Sequence, residues 1–240
     1  MMFKDKIVVI SGSNSGIGKT LSKEYIDKGA IVHGFDITNA KNSDKYYAHK
    51  VDVRNFENIK KSIVDVLEKS NRIDIVVNCA GGSSARVLNE NVSFEKLSIE
   101  AINWGIDVNL RGPVYMARAC INQMIKQKSG VIINIGSISG ETGSSTAVDY
   151  SSAKSGLVGL TKSLALLGAN YGIRCCMVTP GPVLTRPEMS KMPTPLNRAA
   201  EVQEIADLIL YLTSDKAGFI TGSNYLIDGG RSCGGIKHAK

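Results

Sequence analysis

Residues 7–20 read IVVISGSNSGIGKT and specify a strand, a glycine-rich turn and the start of a helix. The first four residues are apolar, as in a buried strand, and glycines follow at positions 12, 16 and 18. Glycine permits a sharp turn and a close approach of the backbone to a ligand, and a helix N-terminus offers unpaired N–H groups. The segment therefore predicts a site for the phosphates of a nucleotide.

On both sides of this turn, short apolar runs alternate with longer segments of helical period. Strands are predicted at 6–10, 31–36, 47–51, 73–78, 131–135, 174–179 and 224–227, and helices at 16–28, 56–69, within 104–126, 150–169 and 201–213. This alternation is typical of βαβ units. It predicts an α/β fold with a doubly wound, Rossmann-type parallel sheet of seven strands and helices on both faces. We expect residues 1–240 to form a single domain.

The composition excludes several classes of protein. With 43% hydrophobic and 21% charged residues, the chain can bury one sizeable core. No apolar run approaches the roughly 18 residues of a membrane span, and the start has no cleavage-site pattern. The five cysteines are unpatterned, so we expect reduced thiols. A cytoplasmic protein with no membrane partner and no metal site is predicted.

The net charge of +7 raises the possibility of nucleic-acid binding. However, most lysines and arginines are scattered among acids, as in KKSIVDVLEK, and the basic segment IKHAK at 236–240 is typical of a frayed tail. The chain has one tryptophan and few other aromatic residues near basic groups, so it offers no platform for stacking bases. We predict no nucleic-acid partner.

A loop over residues 183–198 is the candidate substrate lid. Five of the six prolines fall within 180–195, and proline disfavours helix at the residue before it, which predicts irregular structure. The loop follows the sixth predicted strand, at the edge where open α/β sheets bind their ligands. We expect it to cover a small-molecule substrate.

The glycine turn also approaches the pattern of a P-loop. Gly18, Lys19 and Thr20 match its end, but the leading glycine is replaced by Ser13. A P-loop needs that glycine where the chain leaves the strand. A nucleotide triphosphatase and a purely structural tight turn both remain as alternatives at this point.

Asp36 ends the second predicted strand, about 20 residues after the turn, where a carboxylate can accept both ribose hydroxyls of an adenosine. It would repel a 2'-phosphate, and the next residue, Ile37, carries no compensating charge. NAD is therefore predicted and NADP is disfavoured, with a solvated loop acid as the alternative. Asp52 ends the third strand and either accepts from the adenine amino group or caps the following helix.

Tyr150 and Lys154 lie four residues apart at the start of a predicted helix, on one face. A nearby ammonium lowers the pKa of a phenol, so the pair is a candidate proton carrier. Ser137 follows the fifth strand, and Asn109 is a polar residue in an apolar helical segment. Each residue alone also has a structural explanation: an exposed helical pair, a strand-end serine and a buried asparagine bonded to backbone.

Taken together, these residues make the sequence resemble the short-chain dehydrogenase/reductase family over nearly its whole length. The motifs are the Gly12, Gly16, Gly18 turn, NCAG at 78–81, Asn109 in DVNLRG, Ser137, Tyr150 with Lys154, Pro180-Gly181, and the terminal TG and DGG with Asp228. A Tyr-x-x-x-Lys match alone is common, but seven ordered motifs are highly specific.

The resemblance implies an NAD-dependent oxidoreductase that transfers hydride between the cofactor and a secondary alcohol or ketone, namely a sugar, a polyol, a polar hydroxy compound or a substrate of the 3-oxoacyl type. Tyr150 would be the general acid-base, Lys154 would lower its pKa, Ser137 would position the substrate oxygen, and Asn109 would hold a water. The predicted cofactor contacts are Gly12, Asn14, Ser15, Gly16, Ile17, Gly18, Asp36, Ile37, Asp52, Val53, Asn78, Ala80, Gly81, Tyr150, Lys154, Pro180, Gly181, Val183 and Thr185. Predicted substrate contacts are Ser83, Ser139, Glu141, Arg186 and Met189.

The resemblance also implies a homotetramer, or a homodimer, in which helices 104–126 and 150–169 pair across a two-fold axis. The polar segment GETGSS slightly favours a sugar, a polyol or another polar substrate, unless it simply faces water. A non-catalytic NAD-binding protein is the main alternative function. Two features depart from the family: Cys79 in NCAG, interpreted as a packing substitution without a neighbouring cation, and a lid of only about ten residues between Thr185 and Pro195.

Overall fold

The computed structural model describes residues 1–234 and is built on one parallel sheet of seven strands. The strands are β1 (Ile7–Ser11), β2 (Ile31–Asp36), β3 (Tyr46–Lys50), β4 (Ile75–Asn78), β5 (Gly130–Ile135), β6 (Ile173–Pro180) and β7 (Asn224–Ile227). Their order is β3-β2-β1-β4-β5-β6-β7, with every neighbouring pair parallel. The predicted doubly wound fold is confirmed, and the order reverses between β1 and β4, where such sheets form a binding crevice.

Eight α-helices flank the sheet within the described residues. They are α1 (Gly16–Asp27), α2 (Phe56–Ser70), α3 (Ser84–Val87), α4 (Ile99–Ile106), α5 (Gly112–Gln127), α6 (Ile138–Thr142), α7 (Val148–Gly168) and α8 (Val202–Thr213). No helix within residues 1–234 combines the length and apolarity needed to cross a membrane.

The sheet is covered on both faces, which explains its unbroken apolar strands. In β1, Val9 packs into a core completed by α2 and α5, and Val8 faces a second core completed by α1 and α8. Tyr25 of α1 is fully buried in this second core, where its hydroxyl is 2.8 Å from Thr213 Oγ1 of α8. The strands are thus packed between two apolar cores.

The structure corrects the predicted single helix within 104–126. Helices α4 and α5 are separate and are joined by a π-helical turn, Asp107–Arg111. The periodicity of the sequence does not reveal this wider turn, because the residues that flank it are all in the right-handed helical conformation and both helices bury apolar residues. Helix α7 also begins earlier than predicted, at Val148. Strand ends otherwise differ from the predicted bounds by one or two residues, and α3 and α6 are too short to give a periodic signal.

The lid segment 183–198 is more regular than predicted. Pro187 opens a 3₁₀ helix, Pro187–Lys191, because proline suits the first position of a helix. The segment is tied down at both ends, since Val183 pairs with Ala200 and the Arg231 guanidinium donates to the Pro193 carbonyl at 2.7 Å.

Within residues 1–234, all five cysteines are free thiols, and no group of three or more histidine, cysteine or acidic side chains could hold a metal ion. The basic segment 236–240 lies outside the described residues.

Candidate active site

The glycine turn packs directly against the chain that leaves β4. Gly12 has φ of +70°, and a Cβ there would lie 2.8 Å from Ala80 Cα. The Ser11 hydroxyl accepts from the backbone N–H groups of Cys79 and Ala80 at 3.1 and 3.2 Å. Ser15 at the N-cap of α1 makes no side-chain capping bond, and the first turn of α1 contains no acidic residue. The helix start is therefore suited to an anion.

Asp36 is fixed at this turn rather than free in a solvated loop. Its Oδ2 accepts from the Asn14 backbone N–H at 3.1 Å, and its Oδ1 accepts from Thr38 N and Oγ1 at 3.0 and 2.8 Å. The Asn14 amide nitrogen in turn donates to Thr38 Oγ1 at 2.8 Å. Ile37 beside it is 63% exposed. The carboxylate thus lies at the mouth of the turn, and no cationic side chain among residues 1–234 forms an ion pair with it.

Asp52 pairs with Arg54, whose Nε and Nη2 donate to its carboxylate at 3.0 and 2.6 Å. These hydrogen bonds lower the pKa of Asp52. The alternative that Asp52 caps the next helix is wrong, because Asn55 is the N-cap of α2 and accepts from Asn58 N. Val53 is buried.

Lys154 is a buried cation on α7. Its Nζ donates to the Ile135 carbonyl at 2.7 Å and lies 5.6 Å from the centroid of the Tyr150 ring. Burial disfavours the charged form and lowers the pKa of Lys154 to about 8. The predicted juxtaposition of the two side chains is therefore present.

The pKa of Tyr150 is raised above its ordinary value, because burial of the phenol outweighs a hydrogen bond from Ser137 and the positive charges of Arg186 and Arg86. The net shift is upward because burial dominates at the phenol, and the predicted lowering of this pKa by Lys154 stays a prediction. One N–H of the Lys154 ammonium is directed to the Ile135 carbonyl.

Ser137 caps helix α6 at the carboxyl end of β5. Its Oγ accepts from Ser139 N at 3.2 Å, which leaves the hydroxyl proton free to be donated. Ser137 acts to lower the pKa of the Tyr150 phenol.

Asn109 lies in the π-helical turn and is fully buried. Its Nδ2 donates to the carbonyls of Gly82 and Gly105 at 2.9 and 2.8 Å, and its Oδ1 accepts from Gly82 N at 3.0 Å. A Cβ at Gly81 would lie 2.6 Å from Asn109 Oδ1 and 3.2 Å from Lys154 Nζ. Asn109 thus holds the glycine segment after β4 against Lys154. Its side-chain contacts are those of a buried asparagine bonded to backbone.

The Asn78 side chain is hydrogen-bonded to the neighbouring strand β5. Its Nδ2 donates to Asn134 Oδ1 at 2.8 Å, while its buried Oδ1 has no partner within residues 1–234.

On the lid side, Gly181 packs so closely on Asp228 that a Cβ would lie 2.7 Å from Asp228 Cα. Thr185 reaches the glycine turn, because its Cγ2 would lie 3.1 Å from a Cβ at Gly16.

A family model described as enoyl-(acyl carrier protein) reductase matches residues 12–232 of this chain. The chain belongs to the short-chain dehydrogenase/reductase family. It is 32% identical over 250 residues to a 3-oxoacyl-(acyl-carrier-protein) reductase of Buchnera aphidicola subsp. Schizaphis graminum, covering 96% of this chain and 98% of that protein. It is 30% identical to the sorbitol-6-phosphate 2-dehydrogenase of Klebsiella pneumoniae over 96% of this chain and 97% of that protein.

Among solved structures, the ligand-free aldohexose dehydrogenase of Thermoplasma acidophilum superposes with a TM-score of 0.88 at 28% identity, covering 99% of this chain and 98% of that chain. This short-chain dehydrogenase/reductase is an oxidoreductase that acts on hydroxyl or keto groups with a nicotinamide dinucleotide. The predicted hydride transfer is confirmed at this level, and the triphosphatase alternative loses its support.

The predicted substrate contacts of this short-chain dehydrogenase/reductase lie in three places. Ser83 is the N-cap of α3, Ser139 lies in α6, and Arg186 and Met189 lie in the lid segment. Glu141 is exposed, and its carboxylate accepts from the Asn224 side chain of β7 at 2.6 Å, so it ties α6 to the sheet.

Arg86 was missed by the sequence analysis. It lies in the four-residue helix α3, and its positive charge acts on Tyr150. An isolated arginine after the NCAG motif gives no signal of this charge effect in the sequence.

Cys79 has a cationic neighbour, contrary to expectation. Lys154 acts to lower its pKa, but burial dominates and raises the pKa of this thiol to about 11. We still interpret Cys79 as a packing residue, but the reason is the burial of its thiol, which disfavours the thiolate, and not the lack of a neighbouring cation.

Proposed function

We propose that this protein is an NAD(H)-dependent dehydrogenase/reductase that interconverts a secondary alcohol and its ketone, with Tyr150 as the acid-base group. The observation that carries the proposal is the buried Lys154 ammonium, which lies 5.6 Å from the centroid of the Tyr150 ring, with Ser137 just beyond the carboxyl end of β5. A binding protein without catalysis would have no need to bury a lysine beside a tyrosine, since burial of a charge is costly.

The residues present fit a dinucleotide. The uncapped start of α1 and the glycines of its turn suit the pyrophosphate, and Asp36 suits an unmodified adenosine ribose. A 2'-phosphate would meet the Asp36 carboxylate with exposed, uncharged Ile37 beside it. This favours NAD over NADP. When bound, the nicotinamide supplies or accepts the hydride.

The protein's own residues handle the proton and the substrate oxygen. In ketone reduction, the Tyr150 phenol donates its proton to the carbonyl oxygen as negative charge develops there, and the Ser137 hydroxyl donates a hydrogen bond to the same oxygen. Lys154 uses one N–H on the Ile135 carbonyl, and its charge stabilises the tyrosinate left behind. In alcohol oxidation, the same groups act in reverse.

The cofactor is tested by titrating the protein with NADH and NADPH and following nicotinamide fluorescence. We expect tighter binding of NADH, and in Asp36→Asn a loss of at least tenfold of this preference, because the substitution keeps the shape and removes the charge. Glu57→Gln, at an exposed position of α2, is the matched control. Tighter binding of NADPH by the unmodified protein would overturn the assignment.

Catalysis is tested with a panel of alcohols and ketones at saturating NAD(H). The wild type is expected to turn over members of the panel, and Tyr150→Phe is expected to bind NADH while losing at least a hundredfold in kcat. Tight NADH binding without turnover of any compound would instead support a non-catalytic binding protein.

A further inference from the structure

Tyr46, the first residue of β3, reaches across β2 to the glycine turn. It is paired in the sheet with Val32 of β2, and its side chain extends over Gly34, the next residue of β2 on the same face. A Cβ at Gly34 would overlap the Tyr46 hydroxyl and would lie 2.5 Å from Ser13 Oγ. Glycine at this position therefore lets the phenol meet the turn that follows β1.

The connection between β2 and β3 leaves this corner of the sheet without a helix. Parallel strands are usually joined by a crossover of a dozen or more residues, most often a helix. Here the connection is residues 37–45, all of which are exposed and none of which is helical. Tyr46 is half-buried at this corner, and its hydroxyl supplies the hydrogen bonds between β3 and the glycine turn.

The chemistry of the partners fixes the directions of the hydrogen bonds around Tyr46. Asn14 Nδ2 lies 3.0 Å from the Thr38 backbone carbonyl, which can only accept, so Asn14 Oδ1 is turned towards Tyr46. The Tyr46 hydroxyl donates its single proton to this Oδ1 at 3.1 Å. The Ser13 hydroxyl belongs to the same group, 3.0 Å from the phenol oxygen and 3.3 Å from Asn14 Oδ1. The Asn14 side chain is thus held from one side by Tyr46 and Ser13.

On its other side, Asn14 is connected to the Asp36 carboxylate. Asn14 Nδ2 also donates to Thr38 Oγ1 at 2.8 Å, and because that oxygen accepts here, its own proton goes to Asp36 Oδ1 at 2.8 Å. The backbone N–H groups of Asn14 and Thr38 donate to Asp36 Oδ2 and Oδ1 at 3.1 and 3.0 Å. Among residues 1–234, these bonds place two donors on Oδ1 and one on Oδ2, so Oδ2 stays open to a further donor. The hydrogen bonds therefore run from Tyr46 through Asn14 and Thr38 to the carboxylate and fix its orientation.

We infer that Tyr46 is a positioning residue of the cofactor site, which holds Asn14 and, through it, the Asp36 carboxylate in the orientation that receives the adenosine ribose of NAD(H). A site that is ordered before its ligand arrives loses less conformational freedom on binding. Removal of the Tyr46 hydroxyl should therefore weaken binding of the dinucleotide. The inference rests on the proposed function, because it concerns the NAD(H) site of the same enzyme.

The first measurement is the Kd for NADH, followed by nicotinamide fluorescence, in the wild type and in Tyr46→Phe. This substitution keeps the ring and removes the hydroxyl, and we expect the Kd to rise about fivefold, as for the loss of one hydrogen bond. With a ketone that the wild type reduces, the loss should appear in KM for NADH rather than in kcat, because the groups at the substrate oxygen are unchanged.

Tyr47→Phe is the matched control. Tyr47 is the next residue of β3 and points to the opposite face of the sheet, where its ring stacks on His33 with the centroids 5.0 Å apart. It therefore loses the same hydroxyl from the same strand without touching the glycine turn. Its Kd for NADH should equal that of the wild type.

The second measurement combines Tyr46→Phe with Asn14→Ala, which removes the acceptor of the Tyr46 hydroxyl. If Tyr46 acts through Asn14, the double variant should bind NADH within about twofold of Asn14→Ala alone. The same fivefold loss in both backgrounds would show a general structural role for Tyr46 and would overturn the inference.

An unchanged Kd for NADH in Tyr46→Phe would also overturn the inference, while the proposed function stands on the wild type and Asp36→Asn. Failure of the proposed cofactor is seen in a different protein, because it requires the wild type itself to bind NADPH more tightly than NADH. The two failures are therefore distinguishable.

Discussion

Ser84 and Asp149 form a buried hydrogen bond beside Tyr150, the proposed acid-base residue. Both side chains are buried, and the Ser84 hydroxyl is the hydrogen-bond donor to the carboxylate. Ser84→Ala would leave this carboxylate in the interior without that donor. We expect a loss of about 1–3 kcal/mol in the free energy of unfolding, measured by urea denaturation.

Ser83→Ala is the control for this prediction, because Ser83 makes no side-chain capping bond. Its stability should stay within about 0.5 kcal/mol of wild type. Equal free energies of unfolding for the two variants would show that the hydrogen bond from Ser84 to Asp149 does not stabilise the fold.

The pH dependence of catalysis follows from Lys154. Its pKa is lowered to about 8 by burial, so the ammonium is charged below this value and neutral above it. The Tyr150 phenol has a raised pKa and stays protonated over the same range. We therefore expect kcat for ketone reduction to fall as pH rises through about 8, because the charge that stabilises the tyrosinate is lost.

Lys154→Arg provides the comparison, because a guanidinium stays charged throughout this range. Its reduction rate, whatever its absolute size, should show no fall near pH 8. A wild-type profile that is flat to pH 10 would contradict the role given to the lysine charge.

At the scale of elements, the strands β2 and β3 are linked by a buried histidine. His33 is fully buried, its Nδ1 is 3.0 Å from His49 Nε2 and its Nε2 is 3.2 Å from Ser70 Oγ. Burial, followed by the charges of His49 and Lys69, lowers the pKa of His33 to about 4. Between this value and the ordinary 6.5, the unfolded chain binds a proton at His33 that the folded protein does not.

Stability is therefore expected to fall as pH falls from 6.5 towards 4, by on the order of 2 kcal/mol for this group. Urea unfolding at pH 7 and pH 5 measures the effect. His33→Leu should reduce the difference between the two pH values, and an unchanged difference would show that other groups cause it.

The elements also show what the sequence could reveal. The sheet and the helices that cover it could be predicted from apolar runs such as 7–10 and from the helical period of 56–69. Burial of the strands on two faces and of one helix face produces these patterns in the sequence. The π-helical turn around Asn109 and the short helix α3 could not be predicted, because segments of four or five residues are too short to show a hydrophobic period. The bond between Ser84 of α3 and Asp149 of α7 joins positions 65 residues apart, so this contact could be found only from the structure.

At the scale of the whole molecule, exposed apolar residues lie on the helices expected to pair between subunits. Leu166 of α7 is 79% exposed and Leu167 is 50% exposed, while Val114 of α5 is 40% exposed. Such side chains on a helix surface are consistent with burial in an assembly. A homotetramer, or a homodimer, remains our proposal from the family resemblance.

Light scattering at micromolar concentration tests the assembly. We expect a mass of four times 25.7 kDa for the tetramer, or two times 25.7 kDa for the dimer. Leu166→Glu should lower the mass, because a charge buried between two helices lacks a partner. Val64→Glu, at a 48% exposed position of α2, should leave the mass unchanged. A monomeric wild type would contradict the proposed assembly. A Leu166→Glu variant with the wild-type mass would show that the contact between subunits lies elsewhere on the surface.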